Sequence, residues 1–149
     1  MRTVKIDVTA ISAAAPSAVF ALLYDVSTWP QWGDWETAEL EEPGSPDPNG
    51  VGAIRSFTGH ARSREQVVAV EPDRHLAYIL LSGIPIRGYR ADVRLTPIAT
   101  GGTTITWRSS FRSKIPGLTG LIERRLQAFI ADTAVRLARA AEVRAGQPS

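Results

Sequence analysis

Residues 116–143 read PGLTGLIERRLQAFIADTAVRLARAAEV, and the apolar positions Leu118, Leu121, Ile122, Leu126, Phe129, Ile130, Ala134 and Leu137 recur at steps of three and four. That spacing predicts an α-helix with one buried stripe, running from just after Pro116-Gly117 to about Val143. The opposite face carries Arg124, Arg125, Arg136, Arg139 and Arg144. It reads as a solvated outer face or as a docking surface for acidic partners or lipid headgroups. No other segment offers a helical stripe of this length, so a large apolar surface elsewhere in the chain has to be covered by this one.

That surface lies upstream. Val4, Ile6, Val8 and Ala10 alternate with Lys5, Asp7 and Thr9, the period-two pattern of a strand with one wet face. Pro16 opens a short helix over Ser17–Tyr24 with Val19, Phe20, Leu22 and Leu23 on its buried side, and a second short helix or turn covers Thr28–Gly33. From Trp35 to Phe111 the chain reads as strands divided by turn signals at Pro43–Gly50, Gly59–Ala61, Pro72-Asp73, Gly83-Ile84 and Ala99–Gly102. The segment Pro43–Gly50 holds three prolines and two glycines and is expected to form a loop at the rim. The order is one strand, two short helices, about six antiparallel strands and one long helix. We therefore expect an α+β fold whose sheet of about seven strands wraps the C-terminal helix, one domain over residues 1–145, with residues 146–149 as a disordered tail.

Composition narrows the function classes. A chain of 149 residues buries roughly 70% of its unfolded surface, enough for a core with room for a pocket. Its 44% hydrophobic and 21% charged residues are ordinary for a globular protein, and no apolar run approaches the roughly 20 residues that cross a bilayer. The first residues enter a strand pattern at once, without the form of a secretory leader, and there is no cysteine. Together these favour a cytoplasmic location. Seventeen basic against fifteen acidic residues give a net charge of +2, too small to argue for nucleic acid, and only Lys5 and Lys114 among the basic residues are lysines.

Counting across the turns sets which side chains share a face. A hairpin centred on His60 places Arg55 opposite Glu65 and Phe57 opposite Ser63. A two-residue turn at Pro72-Asp73 sets Glu65 against Leu80 and Val67 against Tyr78. A turn at Gly83-Ile84 sets Tyr78 against Tyr89, and a loop centred near Ala99 brings Ala91 opposite Trp107, with Ile105, Ser109 and Phe111 on the same face. The companions on this face are Phe57, Val67, Leu76, Leu80, Val93 and Leu95, whereas the other face carries Ser56, Arg64, Arg90, Asp92, Arg94, Thr104, Thr106, Arg108 and Arg112. Arg55, Glu65, Tyr78 and Tyr89 thus form a polar row inside an apolar concavity, where charges are costly unless paired. The row reads either as a cross-strand pair serving register with ordinary core aromatics, or as the anchor for one polar group of a ligand whose body lies on apolar walls.

The residues carry a resemblance. The segment AAAPSAVFALLYDVSTWPQWGDW (13–35), with VGAIRSF (51–57), REQVVAVEPDRHLAYILLSGIPIRGYRADVRLTP (64–97) and GGTTITWRSSF (101–111), is similar to polyketide cyclase/dehydrase-like members of the START-like, or SRPBCC, superfamily. The similarity extends from about Val4 to Leu137. It implies a helix-grip fold with a cavity between the sheet and the last helix, used by different members for lipids, sterols, hormones, polyketides or protein contacts. Members often place an arginine, a glutamate and a tyrosine in the cavity, and Arg55, Glu65 and Tyr78 match that pattern. Fold alone does not fix the chemistry.

Other constellations are less informative. Trp29, Trp32 and Trp35 around Pro30 read as a plug for the end of a barrel or as a pocket rim, and Asp25 as a capping or turn residue. His60 at a hairpin tip and His75 on an outer face stand apart, without cysteines or clustered carboxylates, so no metal is expected, and no cofactor motif is present. The leading expectation is a binding protein for a hydrophobic or aromatic small molecule, lipid- or polyketide-like, held by Arg55, Phe57, Glu65, Tyr78, Tyr89, Trp107, Phe111, Leu126, Phe129 and Ile130. The alternatives are a cyclase or dehydratase using Arg55, Glu65 and Tyr78 as catalytic residues without a cofactor, and a protein-interaction module using the basic face of the last helix; homodimerisation stays open. Proton transfer by Glu65 needs a pKa raised by burial, and a close Arg55 opposes that, which ranks binding first.

Overall fold

The computed structural model describes residues 2–146. The elements are β1 (Thr3–Ser12), α1 (Pro16–Tyr24), a single 3-10 turn (Val26–Thr28), α2 (Trp29–Trp32), β2 (Thr37–Glu42), β3 (Ile54–Thr58), β4 (Ser63–Glu71), β5 (His75–Ser82), β6 (Ile86–Pro97), β7 (Thr103–Ser113) and α3 (Thr119–Ala145). The seven strands make one antiparallel sheet in the order β1-β7-β6-β5-β4-β3-β2. This is the helix-grip arrangement the sequence implies. Of the expected tail, residues 147–149 lie outside the described residues, while Gly146 closes α3 by donating to the Glu142 carbonyl at 3.1 Å.

Strands β1, β3 and β7 bury alternate side chains throughout, and α3 lies across the buried face. Its C-terminal half sits tight on the sheet because Ala134, Ala138 and Ala141 are small, and with Ile130 and Leu137 they are at most 3% exposed. Two bonds fix this half to the β1–α1 turn: Ser12 Oγ donates to the Ala138 carbonyl at 2.8 Å, and Glu142 Oε2 accepts from the Ala13 amide at 2.8 Å. Toward the N-terminus the same stripe lifts away. Ile122, Leu126 and Phe129 are half-buried, and Leu118 and Leu121, expected on the buried side, are each 40% exposed. The helix overhangs the sheet there, and that overhang leaves room for a cavity.

The strand register follows the expected faces with three departures. Arg55 pairs with Glu65 and Phe57 with Ser63, as counted. The β4–β5 turn is one residue longer than expected: Glu71 pairs with His75, Arg74 donates to the Glu71 carbonyl at 3.0 Å, and Asp73 takes φ 64°. A bulge between Val67 and Ala69 absorbs the extra residue, so Glu65 still faces Leu80 and Val67 still faces Tyr78. On β6, Tyr78 faces Ala91 rather than Tyr89; on β7, Ala91 faces Ser109 and Val93 faces Trp107. Both slips are of two residues, because each connection is centred one residue later than expected, and a slip of two keeps every side chain on its face. A further irregularity between Arg87 and Arg90, where Gly88 takes φ 62°, lets Ile86 and Tyr89 both turn inward.

The loop Pro43–Gly50 does not form a rim. It is bonded internally, with Gly44 donating to the Pro48 carbonyl at 2.7 Å, and tied to α1 and the turn after it by Tyr24 Oη to Asp47 at 3.1 Å and the Val26 amide to Asn49 at 3.3 Å. None of its residues lines the cavity.

Candidate functional site

Trp29 and Trp35, in and just after α2, build the floor of the site. Pro30 starts α2, and Trp29 is fixed as its indole donates to the Leu23 carbonyl at 3.1 Å. From that position its ring meets Trp32, Trp35, Phe57 and Trp107 at centroid distances of 5.1, 5.1, 5.4 and 6.4 Å. Asp25 caps the preceding turn, its Oδ1 accepting from the Ser27 amide at 3.0 Å.

Against this cluster lies the buried ion pair. Arg55 on β3 has no exposed surface, and its Nη2 donates to Glu65 Oε1 at 2.7 Å. Its guanidinium carbon stands 4.6 Å from the centre of the Trp29 ring, 5.4 Å from Tyr78 and 5.7 Å from Phe57, an aromatic cage for a cation. Arg55 Nε and Nη1 have no acceptor among the described residues. Glu65 is 8% exposed, and that surface opens inward.

The cavity occupies about 440 Å³ between the sheet and the N-terminal half of α3. Trp29, Trp35, Leu80 and Trp107 wall the sheet side, and Ile122, Leu126, Phe129, Ile130 and Thr133 the helix side. Glu65, Tyr78 and Tyr89 give it one polar end. Trp107 Nε1 donates to Tyr78 Oη at 3.2 Å, and the Tyr78 and Tyr89 rings are 6.2 Å apart. Asp34, His60, Arg62 and Arg125, all carrying solvent-exposed or half-exposed surface, mark the mouth, where His60 Nε2 and Asp34 Oδ2 are 3.1 Å apart.

Burial sets the electrostatics of the polar end. It raises Glu65 above the ordinary carboxylate value, while the charge of Arg55 and its hydrogen bond pull the other way without overturning the rise. Burial also carries Tyr78 well above the usual phenol range, helped by Tyr89 and the Glu65 charge and opposed by the Trp107 bond. Tyr89 is pushed up to about 12, again chiefly by burial. Both tyrosines are neutral phenols at physiological pH.

Of the ten residues expected at the site, Glu65, Tyr78, Tyr89, Trp107, Leu126, Phe129 and Ile130 come together on the cavity wall. Arg55 and Phe57 lie one layer behind it, beside Trp29, and Phe111 lies behind Tyr89 with ring centroids 6.3 Å apart. The tryptophans divide the two roles foreseen for them: Trp32 is buried outside the cavity, whereas Trp29 and Trp35 line it. Thr133 and Arg125 were not anticipated. Thr133 is one turn beyond Phe129, to whose carbonyl it donates at 2.7 Å, and Arg125 is three residues beyond Ile122, so helical spacing from the apolar stripe would have found both. His75 sits on the outer face, 2.6 Å from Asp92.

Known proteins share this architecture. Norcoclaurine synthase from Thalictrum flavum, solved in complex with dopamine and hydroxybenzaldehyde, superposes with TM-score 0.76 at 15% identity, covering 99% of this chain and 90% of the synthase. A START superfamily protein from Mycobacterium smegmatis gives TM-score 0.73 at 14% identity, over 94% of this chain and 95% of the other. An uncharacterized protein from Bacillus thuringiensis gives 0.77 at 12% identity, over 93% and 98%. No curated protein matches significantly by sequence. At these identities the solved structures speak for the fold. The family model described as polyketide cyclase / dehydrase and lipid transport matches residues 3–142, and with that span the chain belongs to this family.

Proposed function

We propose that the protein binds a hydrophobic or aromatic small molecule in the cavity, with Glu65, Tyr78 and Tyr89 holding one polar group and Arg55 fixing Glu65 from behind. The observation that carries this reading is a largely apolar cavity of about 440 Å³ with Glu65, Tyr78 and Tyr89 gathered at its inner end and the charged residues Asp34, His60, Arg62 and Arg125 at its mouth, the usual form of a small-molecule site. The family description, which includes lipid transport, supports it. A cytoplasmic location belongs to the same reading; among the described residues no helix is long and apolar enough to cross a membrane.

The test fills the cavity. Leu126→Trp adds an indole to the helix side of the wall, where the side chain is half-buried. With 2-naphthol as the probe, calorimetry should register binding to the wild-type protein and a loss of about tenfold or more in the variant, with the melting temperature nearly unchanged. Equal binding by the two proteins rejects the cavity as the site.

A second reading has one observation in its favour. Glu65 combines a raised pKa with an oxygen free toward the cavity, the condition for moving a proton on a bound substrate. In that case Glu65→Gln keeps ligand affinity and abolishes turnover.

A further inference from the structure

We propose that the group seated at the inner end of the cavity is an uncharged hydrogen-bond donor, an alcohol or phenol, and that the site discriminates against carboxylates. The proposal rests on the binding reading above and narrows it to a ligand class.

A guanidinium keeps its charge at any physiological pH, and the 2.7 Å pair with Glu65 makes the buried ensemble neutral. Tyr78 and Tyr89 add no charge. A ligand carboxylate would bring a second negative charge beside Glu65 in a medium of low dielectric. Among the described residues the only buried cation, Arg55, is already paired, and it does not line the cavity, so its unpartnered Nε and Nη1 cannot reach such a ligand. An ammonium head would pair with Glu65 but leave the charge of Arg55 unbalanced. Arg62 and Arg125 carry exposed surface at the mouth and are screened by water, so they act on approach and not at the seat.

The hydrogen-bond inventory agrees. Glu65 Oε1 accepts from Arg55, while Oε2 takes no bond from the described residues and is an open acceptor. Tyr78 Oη already accepts from Trp107, which leaves its proton to give. A hydroxyl is the small group that both donates to a carboxylate and accepts from a phenol. The aromatic walls at Trp29, Trp35, Trp107 and Phe129 favour a planar body behind it.

Four probes with one shared body test this at neutral pH by calorimetry: 2-naphthol, 2-naphthoate, 2-methoxynaphthalene and 2-naphthylmethylammonium. The naphthol should bind about tenfold tighter or more than each of the others. In Glu65→Gln, with Arg55 freed of its counter-charge, the preference for naphthol over naphthoate should shrink about tenfold or reverse. The wild-type series stands without the variant. Naphthoate binding as tightly as naphthol overturns the proposal, and so does methoxynaphthalene doing so, because it has no proton to donate. If all four bind alike and Leu126→Trp blocks them, the cavity reading survives and this inference falls; if none binds, both fall.

Discussion

Replacing Arg55 with methionine is expected to lower stability by about 3–5 kcal/mol, a drop of roughly 10 °C in melting temperature for a chain of this size, and the loss should grow as pH rises. The substitution leaves Glu65 without its only partner among the described residues, in a place where burial already holds its pKa above the ordinary carboxylate value. Removing the two influences that oppose burial, the charge of Arg55 and its hydrogen bond, raises the folded-state pKa further. A carboxyl group whose folded pKa lies above its unfolded value contributes stability below the unfolded pKa and loses it as pH climbs through the folded one. The variant should therefore come nearest to the wild type at acid pH and fall furthest behind at mildly alkaline pH, and the wild-type protein should show the same slope more weakly. Urea denaturation across that range measures it. The double variant Arg55→Met with Glu65→Leu should recover most of the loss, since no unpaired charge is then buried. A pH-independent deficit, or a double variant no better than the single one, would show that the pair matters only for packing.

The second large effect belongs to Trp29. Truncating it to alanine is expected to destabilise the fold by about 3–5 kcal/mol, because its ring is 1% exposed and sits at the centre of a five-ring cluster. The loss exceeds packing. The guanidinium of Arg55, 4.6 Å from the same ring, loses the nearest face of its cage. Trp29→Ala and Arg55→Met should accordingly be non-additive in a double-mutant cycle, whereas Trp29→Ala and a change at Ile130, on the far side of the cavity, should come closer to additivity. Trp29→Phe keeps an aromatic face and should cost much less than the alanine variant.

Strand parity was the part of the site legible in the sequence. Turn residues gave the centre of each hairpin to within two residues, and an error of two leaves a side chain on the same face. Hence Tyr78, Tyr89 and Trp107 arrived in the cavity although their cross-strand partners differ from those counted. At β4–β5 the turn at Asp73 and the bulge after Val67 offset one another, and only side-chain packing, not local turn chemistry, reveals such a bulge. Depth was not legible. Alternation puts Arg55, Phe57 and Phe111 on the inner face but cannot say that the rings of Trp29 and Tyr89 would stand between them and the cavity. That depends on how α2 and the β6 irregularity fold back, which is set by long-range packing. The protonation of Glu65 was illegible for the same reason: Arg55 lowers its pKa, but burial, which depends on depth, outweighs that effect.

The proposed ligand seat lies between the sheet and the overhanging half of α3. Methyl and indole NMR spectra of the labelled protein, recorded as 2-naphthol is added, test it most directly. Saturable shifts are expected at Leu80, Ile122, Leu126, Ile130 and the indoles of Trp29 and Trp107, with Val4 and Leu137 unmoved. Shifts confined to the outer face of the sheet, or none at saturation, would contradict it.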